Sequence, residues 1–224
     1  MTWLPDRLQG LACRVLLPRA YDPQRRRHPL VVFLHGSGER GDDDGAQLRN
    51  GITAFEHDPL AGFDAIVIAP QASREMTFGG CWYGGESDTQ SAVVALTREL
   101  AGRASVDAAR VYLVGFSMGA IGGWHIVADE RNAGLFAAAV LIAGDVDVDA
   151  TVASRAAARV PIWAVHGERD ELVTNANIRV LDARAALPAL RYTELRGEGH
   201  DVCRQTFAHL PLWQWLFAAR ARTA

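Results

Sequence analysis

The sequence predicts an α/β fold in which helices cover both faces of a mostly parallel central sheet. Apolar runs of strand length recur along the chain, and several are nearly continuous, as in strands that are buried on both faces. Stretches of helical length separate these runs, and such alternation is typical of a parallel sheet. The predicted strands are residues 12–17, 30–34, 65–69, 111–114, 137–143, 161–165 and 192–195.

Helices are predicted between the strands from caps and apolar spacing. Ser87 and Gln90 have the spacing of a capping box, and Val93, Leu96 and Leu100 then repeat on one face of the helix that follows. Further helices are predicted over residues 118–129, 149–158, 178–187 and 207–219.

The 224 residues fit one domain, residues 1–224, because no internal repeat, low-complexity tract or linker divides them. Two long irregular segments, 36–51 and 71–86, each follow the end of a predicted strand. Ligand sites of open α/β sheets form at those strand ends, so both segments are positioned to line a pocket. The acidic run at 42–44 is expected to be a solvated loop.

The net charge and the cysteine content of the chain limit the partners and the cellular compartment that can be expected for it. The net charge of −3 predicts no general affinity for nucleic acid or for anionic membranes. No segment is apolar over the length of a membrane span, and residues 1–10 lack the apolar core of a signal peptide. Cys13, Cys81 and Cys203 form no disulfide framework, although Cys81 and Cys203 could pair under oxidising conditions. We therefore expect a cytoplasmic protein with reduced thiols, and the oligomeric state stays open.

The strongest chemical signal is the sequence Gly-Phe-Ser-Met-Gly, between a predicted strand and a predicted helix. A serine hydroxyl becomes a useful nucleophile when it projects into a cleft that a base can reach. A sharp strand-to-helix turn presents the serine in this way, but it crowds the positions two before and two after it. Gly115 and Gly119, which lack a Cβ, fit these positions. The pattern therefore predicts that Ser117 is a nucleophile.

A serine nucleophile of this kind needs an acid and then a base later in the chain. Asp170 and His200 each lie on a loop that follows a predicted strand, in segments 166–170 and 197–201, at the sheet edge where Ser117 lies. We predict that His200 is the base and that Asp170 is the acid that orients it. Glu168 and Glu171 are the alternative acids.

Acyl transfer passes through a tetrahedral oxyanion, which needs two or more fixed N–H donors. We assign one to the amide of Met118, after the nucleophile, and the other to the amide of Ser37, in a glycine-rich loop after an earlier strand. A phosphate-binding turn is the alternative, but neither a P-loop nor a G-x-G-x-x-G motif is present. His35 and His166 each precede a glycine and are expected to brace loops. Metal-binding motifs are missing, so no metal and no cofactor are expected.

Four segments in this order, HGSGERG, GFSMGAIGGW, HGERDELV and GEGHDVC, resemble those of compact bacterial carboxylesterases of the α/β-hydrolase superfamily. The likeness is to the phospholipase/carboxylesterase and feruloyl-esterase-like groups, and it extends from about residue 16 to residue 215. It implies an α/β-hydrolase fold, serine esterase activity and the site roles given above. Ala120 is a departure, because relatives often have a further glycine there, and it loosens the assignment to a subgroup.

The expected reaction is two-step acyl transfer from a small carboxylic ester to Ser117. The connection before the strand at 161–165 has room for about one helix, so no large lid domain is expected. Trp82 and Tyr83 could form a flat wall for an aryl or acyl group, or they could simply pack their loop down. Two alternatives remain: a small-peptide hydrolase with the same catalytic residues, and a non-catalytic binding protein on the same fold.

Overall fold

The computed structural model describes residues 1–78, 89–183 and 189–221, and within these ranges eight strands form one sheet. The strands are β1 (Trp3–Leu8), β2 (Leu11–Leu16), β3 (His28–Leu34), β4 (Ile66–Gln71), β5 (Val106–Phe116), β6 (Ala138–Ile142), β7 (Ile162–Gly167) and β8 (Leu190–Leu195). Their order across the sheet is β1-β2-β4-β3-β5-β6-β7-β8. β2 pairs antiparallel with β1 and with β4, and the remaining neighbours pair in parallel. The predicted mostly parallel sheet is confirmed.

The described residues form the helices α1 (Gln90–Ala101), α2 (Met118–Ala128), α3 (Ala150–Arg159), α4 (Ala176–Ala183), α5 (Cys203–Ala208) and α6 (Leu210–Ala218). The first four contribute to the apolar cluster on one face of the sheet, with side chains such as Leu96 and Trp124. The last two cover the other face together with a 3-10 helix, Ile52–Glu56, and contribute Phe55 and Trp213 to its cluster. Helices therefore cover both faces, as predicted.

β3 shows why the central strands are apolar along their length. Leu30, Val32 and Leu34 belong to one apolar cluster, whereas Val31 and Phe33 belong to the other, and all five are fully buried. Successive side chains of a strand point to opposite faces, so a strand covered on both faces needs an apolar residue at every position. This requirement produces the runs that predict the sheet.

β1 is a strand that the sequence analysis did not predict. Only its first and last residues are buried, and it contains Pro5. It lies at the edge of the sheet and pairs with β2. An edge strand can expose polar side chains and accommodate a proline, because one side of its backbone needs no partner strand. β1 therefore lacks the apolar run that identifies the central strands.

The helix predicted over residues 207–219 forms as α6 from residue 210 to residue 218, but residues 207 and 208 belong to a separate helix, α5. Pro211 lies in the first turn of α6. Amides of the first turn have no partner within the helix, so the missing N–H of proline costs α6 no hydrogen bond. A proline there cannot donate to the carbonyl one turn earlier, so the preceding helix ends. Trp213 Nε1 instead approaches the carbonyl oxygens of Thr206 and Phe207, at 3.2 and 3.1 Å. The indole therefore joins the two helices.

Other predicted helices differ only at their ends or lie partly outside the described residues. The helix expected after Ser87 begins at Gln90 with Thr89 as its N-cap, and Ser87 itself lies outside the described residues. Between β6 and β7, where every residue is described, the chain forms α3 and no lid domain. No helix in the described ranges has both the length and the apolar character of a membrane span.

Replacing Trp213 with alanine should lower the free energy of unfolding by about 3–5 kcal/mol. Its fully buried indole packs on Phe55 and Phe207 and donates to carbonyls of α5. Chemical denaturation measures the difference, with Gln214→Ala on the exposed side of α6 as a control that should change stability by less than about 0.5 kcal/mol. A loss below about 1 kcal/mol for Trp213→Ala would contradict this account of the junction.

Candidate active site

Ser117 lies at the carboxyl end of β5, in the turn that leads into α2. Its backbone has φ 51° and ψ −117°, a conformation that a serine seldom adopts. A Cβ on Gly115 would overlap the backbone of Gly119, and a Cβ on Gly119 would overlap the carbonyl group of Leu34. The turn therefore closes only with glycine at both positions, which is the steric role that the sequence predicts for them.

The structure brings Ser117, His200 and Asp170 together at this edge of the sheet. His200 Nε2 lies 2.9 Å from Ser117 Oγ, and His200 Nδ1 lies 2.7 Å from Asp170 Oδ2. The Asp170 side chain is fully buried, and that of His200 is 16% exposed. The ring of Phe116 packs beside the imidazole, with ring centroids 5.3 Å apart. This arrangement can move a proton from the serine hydroxyl to a histidine that a carboxylate orients.

The carboxylate of Asp170 is held by its own loop. Its Oδ1 accepts hydrogen bonds from the amides of Leu172 and Val173, each at 2.9 Å. Burial alone would raise the pKa of Asp170, but the hydrogen bonds from Val173, His200 and Leu172 outweigh it and lower the pKa. Asp170 is therefore an anion at neutral pH and can orient the imidazole of His200.

Neither alternative acid occupies the position next to His200. Glu171 is exposed. Glu168 Oε2 instead accepts a hydrogen bond of 2.7 Å from the amide of Gly197, and the amide of Arg169 donates to the carbonyl of Glu198 at 2.8 Å. These contacts fasten the loop that carries Asp170 to the loop that carries His200, so Glu168 acts on the geometry of the site.

Gly167, the last residue of β7, lets these two loops approach each other closely. A Cβ there would overlap the carbonyl oxygen of Gly199, directly before His200. The carbonyl of Gly167 accepts a hydrogen bond of 3.1 Å from Asn175 Nδ2. Any larger residue would push the backbone of the histidine loop away from the strand.

The two amides predicted to bind the oxyanion each begin a helix. Met118 is the first residue of α2, and Ser37 is the first residue of a 3-10 helix, Ser37–Glu39. Amides in the first turn of a helix have no partner within that helix, so they can bind an anion. A Cβ on Gly36 would lie 3.0 Å from the ring of Phe116, so the loop of Ser37 packs against the strand end that carries the nucleophile.

His35 braces the loop of Ser37, as expected from the sequence. Its Nδ1 lies 2.6 Å from the carbonyl oxygen of Gly36, and its Nε2 lies 3.0 Å from the amide nitrogen of Ala72. Only a neutral ring with its proton on Nδ1 satisfies both contacts. Burial lowers the pKa of His35 to about 4, which keeps the ring neutral. Because the peptide is planar and trans, the bond to the Gly36 carbonyl also fixes the direction of the Ser37 N–H.

The acidic run at 42–44 is more than the solvated loop expected from the sequence. Asp43 Oδ1 accepts hydrogen bonds from the amides of Gly45 and Ala46 and from Gln71 Nε2. These bonds, that of Ala46 foremost, lower the pKa of Asp43 to about 2. Gln71 Nε2 also lies 3.0 Å from the carbonyl of Glu39, so buried Gln71 ties this loop to the end of β4. The contact of Gln71 with this loop joins residues that are far apart in the sequence. From the sequence, only the Asp-x-Gly turn could have been recognised.

The predicted pocket wall, Trp82 and Tyr83, lies outside the described residues, as does Cys81. Cys203 is buried at the start of α5, and burial raises the pKa of its thiol. An apolar side chain that the sequence analysis did not select is Leu172, which is 69% exposed beside Asp170. The sequence feature that could have identified it is an apolar residue two positions after the predicted acid. Among the described residues, no group of His, Cys, Asp or Glu side chains is arranged to hold a metal ion.

Comparison with known proteins gives a family match and several structural matches. The model of the dienelactone hydrolase family matches residues 66–188. A crystal structure of a thermostable esterase is 28% identical to this chain and superposes with a TM-score of 0.85. That match covers 97% of this chain but 63% of the esterase, so this chain spans less than two thirds of its length. No curated protein matches the sequence.

More distant structures share the fold over their full length. Est1E from Butyrivibrio proteoclasticus is 11% identical, with a TM-score of 0.68, and the match covers 97% of this chain and 100% of Est1E. A ferulic acid esterase is 16% identical, with a TM-score of 0.70, and the match covers 96% of this chain and 99% of that one. At these identities the likeness is one of fold, and it agrees with the α/β-hydrolase fold that the sequence motifs imply.

Replacing His35 with glutamine should make stability less dependent on pH. The ring takes up a proton at about pH 4 in the folded protein, against an ordinary value of 6.5. Between these values the unfolded chain binds more protons, so the wild type loses up to about 1.4 kcal/mol of unfolding free energy for each unit that the pH falls. Glutamine does not titrate and lacks this loss.

Denaturation curves of both proteins at pH 7 and near pH 4.5 measure this difference. Any loss of packing in His35→Gln lowers stability at both pH values alike and so cancels. Equal pH-dependent losses in the two proteins would show that His35 is not held neutral by burial.

Proposed function

Because the chain belongs to the dienelactone hydrolase family, we propose that it hydrolyses small carboxylic esters through an acyl-enzyme on Ser117. The observation that carries this proposal is the position of His200, between Ser117 Oγ at 2.9 Å and Asp170 Oδ2 at 2.7 Å. The thermostable esterase and the ferulic acid esterase among the similar structures support ester hydrolysis. The substrate is a free small molecule.

In the first step, Ser117 Oγ attacks the carbonyl carbon of the ester while His200 Nε2 takes the hydroxyl proton. Asp170 accepts the N–H of His200 Nδ1 and stabilises the imidazolium that forms. The carbonyl oxygen becomes an oxyanion, to which the amides of Ser37 and Met118 donate hydrogen bonds. The carbon–oxygen bond to the alcohol then breaks, and His200 Nε2 gives its proton to the departing alkoxide.

The second step repeats this chemistry with water as the nucleophile. His200 Nε2 takes a proton from water as its oxygen attacks the acyl carbon on Ser117, and the same amides bind the second oxyanion. When the intermediate collapses, the bond to Ser117 Oγ breaks and His200 returns the proton to that oxygen. The acid is released, and no step needs a metal or an organic cofactor.

Two features support a small apolar substrate. The connection between β6 and β7 forms α3 alone, so no cap of the kind that α/β folds insert there covers this side of the site. Leu172, two residues after Asp170, has an exposed apolar side chain, and its amide donates a hydrogen bond to the carboxylate of Asp170. A short acyl or aryl group could bury part of itself against this side chain. One of the similar structures, Est1E, has ferulic acid, an aryl acid, bound.

Asp170→Asn should lower kcat by a factor of about 10³–10⁴, because an amide in place of the carboxylate favours the wrong tautomer of His200. Glu171→Gln, a matched change in an exposed neighbour, should lower kcat by less than about threefold. Initial rates with a chromogenic short-chain ester measure both. If Glu171→Gln lost activity while Asp170→Asn kept it, the acid of the triad would be Glu171 and not Asp170.

Esters should be cleaved with a kcat/KM at least ~10²-fold above that of matched anilides, a difference of about 3 kcal/mol between transition states. An amide nitrogen is a poor leaving group that must be protonated, and peptidases usually hold a long chain while this happens. One enzyme preparation assayed on both substrate series gives the ratio.

Ser117→Ala provides the background for that comparison, since it removes the nucleophile but little packing. Ester turnover no higher than this background would contradict the proposed activity. Comparable rates on esters and anilides would instead favour a peptidase with the same triad.

A further inference from the structure

The turn that carries the amide of Ser37 is only weakly held by its own backbone. The amide nitrogen of Glu39 lies 3.3 Å from the carbonyl oxygen of Gly36. That of Arg40 lies 3.4 Å from the carbonyl oxygen of Ser37. Both distances exceed the ~2.9–3.0 Å at which N–H···O hydrogen bonds usually form. Contacts from outside the turn are therefore needed to fix the direction of the Ser37 N–H.

Gln71 supplies such a contact from the sheet. It is the buried last residue of β4, and β4 lies between β2 and β3. Its Nε2 donates to the carbonyl oxygen of Glu39 at 3.0 Å and to Oδ1 of Asp43 at 2.9 Å. Its Oε1 accepts a hydrogen bond of 2.9 Å from the amide of Asp44. Both N–H groups and the oxygen of the side-chain amide are therefore in use.

A glutamine side chain suits these three neighbours, because it combines two donors with an acceptor. The reversed amide would turn its oxygen towards two acceptors and its nitrogen towards the N–H of Asp44. An ionised glutamate of the same length has no donor, and lysine and arginine have no acceptor. The hydrogen bond from Gln71 to Asp43 is also charge-assisted, because that carboxyl has a low pKa and is ionised.

We propose that Gln71 is a positioning residue of the oxyanion site, which holds the far end of the turn that begins at Ser37. His35 fixes the peptide before Ser37 through the carbonyl of Gly36, and Gln71 fixes the carbonyl of Glu39. Both ends of the turn are thus attached to buried side chains outside it. The kinetic part of this inference rests on the proposed function.

The backbone beside Gln71 contacts the same loop independently of its side chain. The amide of Gly41 donates to the carbonyl oxygen of Ala72 at 2.9 Å, and the amide nitrogen of Ala72 lies 3.0 Å from His35 Nε2. These contacts remain when the side chain of Gln71 is changed. The loop should therefore stay near its place in such a variant, while its turn loses a fixed direction.

Two methionine substitutions separate the contacts of Gln71 from the general stability of the loop. Gln71→Met keeps the length of the side chain and removes its three hydrogen bonds. Gln47→Met is the matched control, because Gln47 is also fully buried between β3 and β4, but its Nε2 donates to Oδ1 of Asp44. Titration of each variant with a fluorophosphonate counts the reactive sites, so that kcat refers to active enzyme.

For Gln71→Met we expect kcat to fall about tenfold with KM within about twofold of the wild type. Complete loss of an oxyanion donor costs about 10²–10³ in kcat, and here the donor remains but is less well directed. Gln47→Met should keep kcat within about threefold. Equal losses in the two variants would show that only the stability of the loop matters and would overturn the proposal.

A trifluoromethyl ketone that resembles the ester tests the oxyanion itself. Ser117 Oγ bonds to its carbonyl carbon and gives its proton to His200 Nε2, and the carbonyl oxygen takes the electron pair as an oxyanion. The affinity for this ketone should fall about tenfold in Gln71→Met, as kcat does, whereas KM should stay near its wild-type value. An unchanged affinity for the ketone would overturn the proposal.

Hydrogen exchange measured by NMR needs no ligand and separates this inference from the proposed function. The amides of Glu39 and Arg40, which close the turn, should exchange about tenfold faster in Gln71→Met and at the wild-type rate in Gln47→Met. If they exchange faster while no ester is cleaved, the role of Gln71 in holding the turn stands and the proposed function fails. Exchange at the wild-type rate in Gln71→Met would overturn the inference even if esters are hydrolysed.

Discussion

The hydrogen bond between His200 Nε2 and Ser117 Oγ joins residues 83 positions apart, and the rest of the site depends on it. It can form only if loops that follow different strands meet at one edge of the sheet, which parallel strands with helical crossovers provide. Backbone must also approach backbone closely at two points. Gly119 lies against the carbonyl of Leu34, and Gly167 lies against Gly199. Glycine at these positions therefore has the same physical cause, namely that the loops meet with no room for a side chain.

Burying the carboxylate of Asp170 is the main electrostatic demand of this arrangement. An ionised carboxylate in a dry site is unstable unless hydrogen bonds replace its water. Its own loop supplies two amides, and His200 supplies a ring N–H. In the loop after β3, His35 is buried as a neutral ring whose Nδ1 contacts the carbonyl oxygen of Gly36 and so fixes the peptide between Gly36 and Ser37. Fixed donors thus replace water around the carboxylate, and a fixed peptide precedes the amide that we propose as an oxyanion donor.

Much of this could be predicted from the sequence, because the signals are local. Continuous apolar runs marked the central strands, and the two glycines around Ser117 reported a steric requirement that any such turn has. β1 escaped prediction because an edge strand needs no apolar run, and the break between α5 and α6 was missed although Pro211 marks it. The contacts of Gln71 with the loop of Asp43, and of His166 Nε2 with the carbonyl oxygen of Val173, depend on where loops fold back. Residue types alone do not specify them.

The central claim is that the reaction passes through an ester of Ser117, and rapid acid quenching during turnover of an activated ester tests it most directly. Mass spectrometry of the quenched protein, digested to peptides, then locates any acyl group. The account predicts a burst of one alcohol released per active site, together with one acyl group on the peptide that contains Ser117. Turnover with no acyl group on the protein, or with the group on Cys203 or another side chain, would contradict it.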